Sequence, residues 1–313
     1  MSEYLTLHPG ELSTKFRILK PEEVAGLERN QKKPEAERKE SLTLDQAETI
    51  MGQDFFGPAD VQKEFGVQLE VEDIPVIPFS EIELERAKEL GQFLVLRVNK
   101  APDGKALTMP KMHEMLQKRF TDESKGKVLY STAGEWKLNS EFFTTETPEL
   151  AWALSGTASV PDSTSKNYLE QTQVLADYVA NEVFKGQELP PMYEAAIEQF
   201  QNYFDHNFKN KTKEEIDALL SGSDWEKYAQ ELGDLGINQL TRQSPADALY
   251  DMLARYLKTG TKIFETVSTW TKRRASDGDL VYVGRFGAGG ARVNGYRPGS
   301  SDSNLGVSLS RSH

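Results

Sequence analysis

The residues that could do chemistry are few, and their spacing does not suit it. The 313-residue chain has four histidines, His8, His113, His206 and His313, and no cysteine. Without cysteine there is no thiol nucleophile, disulfide, Cys-ligated zinc or iron–sulfur cluster. Glu114 follows His113, but position 117 is Gln117, so the H-E-x-x-H spacing of a helical zinc site is missing. The sequence has no G-x-S-x-G elbow to anchor a Ser-His-Asp triad and no phosphate-binding loop ending in Gly-Lys-Ser/Thr. Gly287-Ala-Gly289-Gly290 has two glycines of a dinucleotide fingerprint. The third would fall on Arg292, and strand-like residues follow where a helix is needed, so these glycines read as tight turns. Asp277-Gly-Asp279 is too short for an EF-hand calcium loop and reads as a hairpin turn. No catalytic set, metal site or cofactor is expected. An enzyme reading would rest on Arg273, Arg274, Asp277 and Asp279, with the C-terminal tail as a substrate lid.

Composition narrows the partners. The net charge is −12, and an acidic surface repels phosphate backbones, so nucleic acid is an unsuitable partner for the chain as a whole. Hydrophobic residues make up 38% and aromatics 10%, too many aromatics for a disordered chain. No apolar run reaches the ~20 residues of a membrane span. Met1–Lys20 has no apolar core of signal-peptide type, so the location expected is cytoplasmic or virion-associated. The charge is unevenly placed. From Trp270 to His313 seven basic residues stand against three acidic ones, giving +4 and leaving −16 on the rest.

The elements that would position a site follow from local signals. Lys20–Ser41 is a charged run with Pro21 and Pro34 and reads as a solvated helix or linker. Thr43 caps a helix over Leu44–Met51, and Pro58 opens another that Gly66 ends. Phe55, Phe56 and Phe65 would dock them. Ser80 with Glu83 forms a capping box, and Phe93–Val98 is a buried strand. Thr108 with Pro110 starts a helix through Phe120, and Thr147-Pro-Glu-Leu starts a short helix carrying Trp152. Ser165–Gly260 is strongly helical, with apolar stripes Tyr168–Val179 and Tyr193–Phe204 and a Ser244-Pro start for the last helix. After Gly260, frequent glycines and period-two alternation mark strands and turns, including Leu305–Ser310 as one strand.

The tail from Ser268-Thr-Trp270-Thr-Lys-Arg-Arg to Gly306-Val-Ser-Leu-Ser-Arg311 resembles the end of C-type-lectin-like domains of the formylglycine-generating-enzyme type. More closely, it resembles the variable proteins of diversity-generating retroelements. Across the chain, Phe55-Phe-Gly-Pro58, Glu85–Phe93, Leu107-Thr-Met109, Ser163–Glu170 and Asn238–Gln243 look familiar from variable-protein-like sequences of reduced-genome bacteria. In such proteins a reverse-transcribed cassette rewrites codons near the 3′ end, and the fold displays the altered side chains on one face. The resemblance implies an α+β, C-type-lectin-like domain over residues 79–313. A helical insertion would span residues 165–260, a variable-type β module residues 270–313, and a helical or extended appendage residues 1–78.

The implied function is binding of a protein ligand through a diversified face: Tyr282, Arg285, Arg292, Asn294, Gly295, Tyr296, Arg297, Asp302, Ser303 and Asn304. All of these except Gly295 and Ser303 would point outward as one patch, alternating with buried Val281, Val283, Val293, Leu305 and Val307. Tyr and Arg suit contacts, with Asn, Ser and Gly adaptable around them. Gly, Ser, Asn and Asp also dominate ordinary β-turns. The oxidase activity of formylglycine-generating enzymes is not implied, because it needs cysteines. A phage or virion receptor-binding protein of the same fold is the alternative. Trp270 is expected buried between the helical body and the β module, and Phe93–Val98 near the last strand.

Overall fold

The computed structural model describes residues 42–131 and 140–312. The charged run Lys20–Ser41 lies outside them. In chain order the elements are α1 (Leu44–Met51), β1 (Phe55–Phe56), α2 (Pro58–Phe65), α3 (Glu81–Glu89), β2 (Gln92–Leu96), α4 (Met109–Asp122), α5 (Glu141–Thr145) and β3 (Trp152–Gly156). Helices α6 (Tyr168–Tyr178), α7 (Pro191–Asn207), α8 (Lys213–Ser221), α9 (Trp225–Asp234), α10 (Gly236–Thr241) and α11 (Pro245–Thr259) follow. The chain ends with β4 (Ser268–Arg274), β5 (Leu280–Gly287), β6 (Gly290–Tyr296), β7 (Leu305–Gly306) and β8 (Ser310–Ser312). The class is α+β. No helix among the described residues is long and apolar enough to cross a membrane.

The helices start where the side chains can satisfy otherwise unpaired backbone N–H groups. Thr43, Ser80, Asn167, Thr212 and Ser244 each accept from the amide three residues on, and the side chain there returns a bond to the cap backbone. Such capping boxes typically contribute ~1 kcal/mol each. Gly66 and Gly260 end α2 and α11 in the left-handed region, where a side chain would be strained.

Two four-stranded sheets organise the core, ordered β1-β2-β3-β8 and β6-β5-β4-β7. Strands β2 and β3 pair antiparallel with Leu94 opposite Leu154, and β8 joins the far side of β3. The strand at Phe93 and the end of the chain thus share one sheet, with β3 between them. The residues expected to carry Trp152 on a helix form this middle strand instead. All five residues of β3 are buried, so it has no exposed polar side of the kind an amphipathic helix would show, and both of its edges are hydrogen-bonded to neighbouring strands.

The segment expected as one final strand divides between the sheets. Leu305–Gly306 pairs with β4, and Ser310–Ser312 pairs with β3. Between them Val307 accepts from the Val160 amide and Leu309 from the Gly156 amide, while the Ser308 amide donates to the Thr269 hydroxyl. The last eight described residues therefore stitch the two sheets together.

Residue 78 is not a structural boundary among the described residues. β1 pairs in parallel with β2, and Phe55 stacks on Trp152 with ring centroids 5.5 Å apart. The Trp152 indole donates to the Pro75 carbonyl at 2.8 Å. Nor is all of 165–260 an insertion. Helix α11 is buried along most of its length and belongs to the core that contains β1, β2 and β3. Its apolar residues Leu249, Tyr250, Met252, Leu253 and Leu257 are too widely spread for one exposed surface helix. Its carboxylates find partners inside. Asp251 takes a two-pronged bond from Arg97 at 2.9 and 2.6 Å, and the Arg97 guanidinium also donates to Ser310 at 2.8 Å. Burial opposes the Arg97 charge, but Asp247 and Asp251 outweigh it and hold the guanidinium above its ordinary pKa.

Candidate functional site: the aromatic cleft on the C-terminal hairpin

The β5–β6 hairpin sets the site. Its register places Tyr282 opposite Asn294, Leu280 opposite Tyr296 and Gly284 opposite Arg292. Opposed residues share a face, so Asn294, Tyr296 and Arg292 stand on the side of Leu280 and Tyr282. Val281, Val283 and Val293 take the other side and pack into the core with α11. The expected alternation holds for these valines. It fails for Tyr282, which is 9% exposed, because both faces of β5 are covered. The adjoining strand β4 places Trp270 beside Tyr282, and helix α6 covers Trp270 with Tyr168.

An aromatic chain runs from interior to surface. The Arg242 guanidinium lies 3.8 Å over the Tyr168 ring. Tyr168 meets Trp270 edge-on at 5.4 Å, Trp270 meets Tyr282 at 6.1 Å and Tyr296 at 6.4 Å, and Tyr282 and Tyr296 lie 5.1 Å apart. Trp270 is fully buried, as expected at this junction. Tyr296 ends the chain 40% exposed. Burial raises the Tyr282 hydroxyl above the ordinary tyrosine pKa, and the neighbouring Tyr296 hydroxyl adds to it. Burial also pushes Arg242 down to about 10; among the described residues no carboxylate pairs with it, and it relies on Asn238, Thr172 and the Tyr168 carbonyl.

Tyr296 forms part of a surface cleft of about 570 Å³, lined by Trp225, Asp277, Asp279, Asn294, Gly295, Tyr296, Arg297 and Ser300. The Arg297 guanidinium sits 5.0 Å over Trp225 and donates to the Ser221 carbonyl at 3.0 Å. The chain just beyond presses on α8. A Cβ added at Gly299 would lie 2.2 Å from the Ser221 hydroxyl oxygen. Asp277 and Asp279 enter from the β4–β5 turn, where the Asp279 amide donates to the Asp277 carboxylate at 3.3 Å.

The structure brings four of the ten expected residues, Asn294, Gly295, Tyr296 and Arg297, into this one cleft, although Gly295 is itself buried and contributes backbone. Arg292, two residues back on β6, is exposed with its guanidinium 4.5 Å over the Tyr130 ring. Arg285 is exposed at a break in the β5–β6 ladder, at φ 49°, and its amide donates to the Val267 carbonyl. Asp302, Ser303 and Asn304 lie in the loop before β7. The Asp302 carboxylate accepts from the Asn304 amide at 3.3 Å, and the Asn304 carbonyl accepts from Ser268. Asp302 thus shapes a turn, as polar loop residues commonly do. None of Arg285, Asp302, Ser303 and Asn304 lines the cleft. Trp225 and Ser300 do, and sequence reading missed them. Trp225 comes from the helical segment, 71 positions before Tyr296, so no local pattern links the two.

The four residues of the enzyme reading are split. Asp277 and Asp279 line the Tyr296 cleft, whereas Arg273 and Arg274 line a different one with Glu146. Among the described residues no three acidic or histidine side chains converge as a metal site. Chemically the Tyr296 cleft offers two large ring faces, a cation stacked on one of them, an amide and carboxylates, groups suited to contact. Comparison of the chain with protein-family models, curated proteins and solved structures finds no match.

Proposed function

We propose that the protein binds a protein ligand through the Tyr296 cleft and the neighbouring exposed residues of its C-terminal hairpin. In this reading it is a lectin-like display scaffold of the retroelement variable-protein kind. The observation that carries it is the aromatic chain. Tyr296 and Arg297 are exposed contact residues of the types that dominate interface energetics. Tyr296 rests on Tyr282 and Trp270, with Tyr168 behind Trp270, all held in the core, and Arg297 rests on the Trp225 ring. Preorganised aromatic anchors lose little conformational freedom on binding, and small polar neighbours such as Asn294 and Ser300 adapt around them.

A face that accepts many side chains needs a backbone held by other means. Here β5 lies between β4 and β6, and its valines pack on α11. The diversified set consistent with this scaffold is Arg285, Arg292, Asn294, Tyr296, Arg297, Asp302, Ser303 and Asn304, with Tyr282 reassigned to the support beneath. The same cleft would serve a virion-borne receptor-binding protein, and only the protein's setting separates the two.

The test is a display library randomised at Arg292, Asn294, Tyr296 and Arg297 and sorted against two unrelated purified proteins, lysozyme and streptavidin. Most members should display as folded protein, and each target should enrich its own sequences at these four positions. A library that mostly fails to fold, or that never enriches specific binders, contradicts the reading.

A further inference from the structure

We propose that a second cleft, at the far end of β4, is a binding site for a small oxyanion, a phosphoryl or carboxylate group carried on a ligand. The inference does not depend on the reading of the Tyr296 cleft.

A regular strand would send Lys272 and Arg274 to one face of the sheet and Arg273 to the other. Strand β4 is irregular here. Trp270 pairs with Tyr282, and the next pair is Arg274 with Leu280, so four steps on β4 match two on β5. Bulges of this kind re-aim side chains and are common beside functional sites. This one is held from inside. The buried Thr271 hydroxyl donates to the Val281 carbonyl at 2.8 Å, and the Lys272 amide donates to the Gln243 carbonyl at 3.0 Å. As a result three consecutive cations, Lys272, Arg273 and Arg274, all line one cavity of about 530 Å³, within the usual range for small-ligand pockets.

The charges are only partly compensated. Arg273 lies 3.3 Å from Glu146, whose carboxyl is held above its ordinary pKa by burial. Among the described residues no carboxylate lies within ion-pair distance of Lys272 or Arg274. Both are half-buried, so part of the cost of ordering their long side chains is met by packing. Asp234 stands on the wall formed by the end of α9, which leaves the β4 wall as the place for an anion. Arg273 and Arg274 also border an adjoining cleft lined by Ser140, Thr145 and Ser276. An arginine fork beside a lysine is the usual chemistry for phosphate and carboxylate recognition. The cluster is unexpected on a chain of net charge −12.

The test is calorimetric titration of the full chain with inorganic phosphate and with citrate, at ionic strength fixed with potassium chloride. Saturable binding of at least one is expected, weakened tenfold or more in the double variant Lys272→Gln with Arg274→Gln and unchanged in Arg297→Gln. Preference for phosphate assigns a phosphoryl ligand, and preference for citrate a carboxylate. If the double variant does not fold, Arg274→Lys, which keeps the charge and loses the fork, should weaken the preferred anion severalfold. The proposal is overturned if neither anion saturates, if the substitutions at 272 and 274 leave binding unchanged, or if Arg297→Gln weakens it equally.

Discussion

The rings of Tyr282 and Tyr296 pack 5.1 Å apart, yet one is 9% exposed and the other 40%. They are adjacent in space and opposite in role: the inner ring supports the outer one. Tyr282→Ala should therefore cost roughly 3–5 kcal/mol, in the range for deleting a buried aromatic. Tyr296→Ser should cost no more than ~1 kcal/mol, since surface changes are usually small. Urea unfolding of the two variants gives both numbers, and equal costs would remove the distinction between support and display.

Trp270 joins the same chain but makes no hydrogen bond with its indole N–H, although it is fully buried. Trp270→Phe gives up no polar contact, so only lost volume should count, about 1–2 kcal/mol, against roughly 3–5 kcal/mol for Trp270→Ala. Thermal melts of the pair should keep this order. A Phe variant as damaged as the Ala variant would mean that the indole N–H is used.

Local signals were readable wherever the local chain decides the structure. The caps at Thr43, Ser80, Thr108 and Ser244 and the turns at Asp277-Gly278 and Gly287–Gly290 depend on nearby residues, and each appears as read, while the strand read as Phe93–Val98 spans Gln92–Leu96 and was visible only through the unbroken apolar run Phe93–Leu96. What the sequence hid was which faces are covered. Tyr282 alternates with Val281 and Val283 and looks outward-facing, but Trp270, 12 positions away on the neighbouring strand, packs against its ring, and Trp270 is itself covered by the distant Tyr168. Trp152 looked helical after Thr147-Pro148 because its strand partners are distant in sequence. Leu305–Ser310 looked like one strand because alternation says nothing of which sheet each half joins. Half of the Tyr296 cleft was legible for the same reason: its hairpin residues are local, and Trp225 is not.

Arg97 and Asp251 form a buried two-pronged ion pair that links the end of β2 to α11 and, through Ser310, to β8. Asp251→Asn leaves a buried guanidinium partly uncompensated and should cost about 3–5 kcal/mol. Replacing both together, Arg97→Met with Asp251→Leu, should cost much less than the two single changes summed. Chemical unfolding of the four proteins in this cycle measures the coupling, and additive costs would show that the pair is not what ties the β2 and β8 strands of this sheet to α11.

Glu146 gives a pH signature. Its folded-state pKa is raised by burial, with Arg273 opposing, so the folded protein holds the Glu146 proton more tightly than the unfolded chain does. Ionised Glu146 therefore costs stability near neutral pH. The cost is relieved as pH falls through the raised value and is gone below the ordinary 4.5. The stability of the wild type relative to Glu146→Gln should improve on acidification across that window. A difference that is flat with pH, or that worsens toward acid, would mean that Arg273 and not burial controls the carboxyl.

The display reading is tested most directly by sequencing many independent copies of the gene together with its neighbourhood. Amino-acid differences should concentrate at Arg285, Arg292, Asn294, Tyr296, Arg297, Asp302, Ser303 and Asn304. Val281, Tyr282, Val283, Val293, Leu305 and Val307 should stay fixed. A near-copy of the codons for residues 270–311, differing at adenines, should lie beside a reverse transcriptase gene. Copies identical at Asn294 and Tyr296, with no such template nearby, would contradict the claim that this face is diversified for binding.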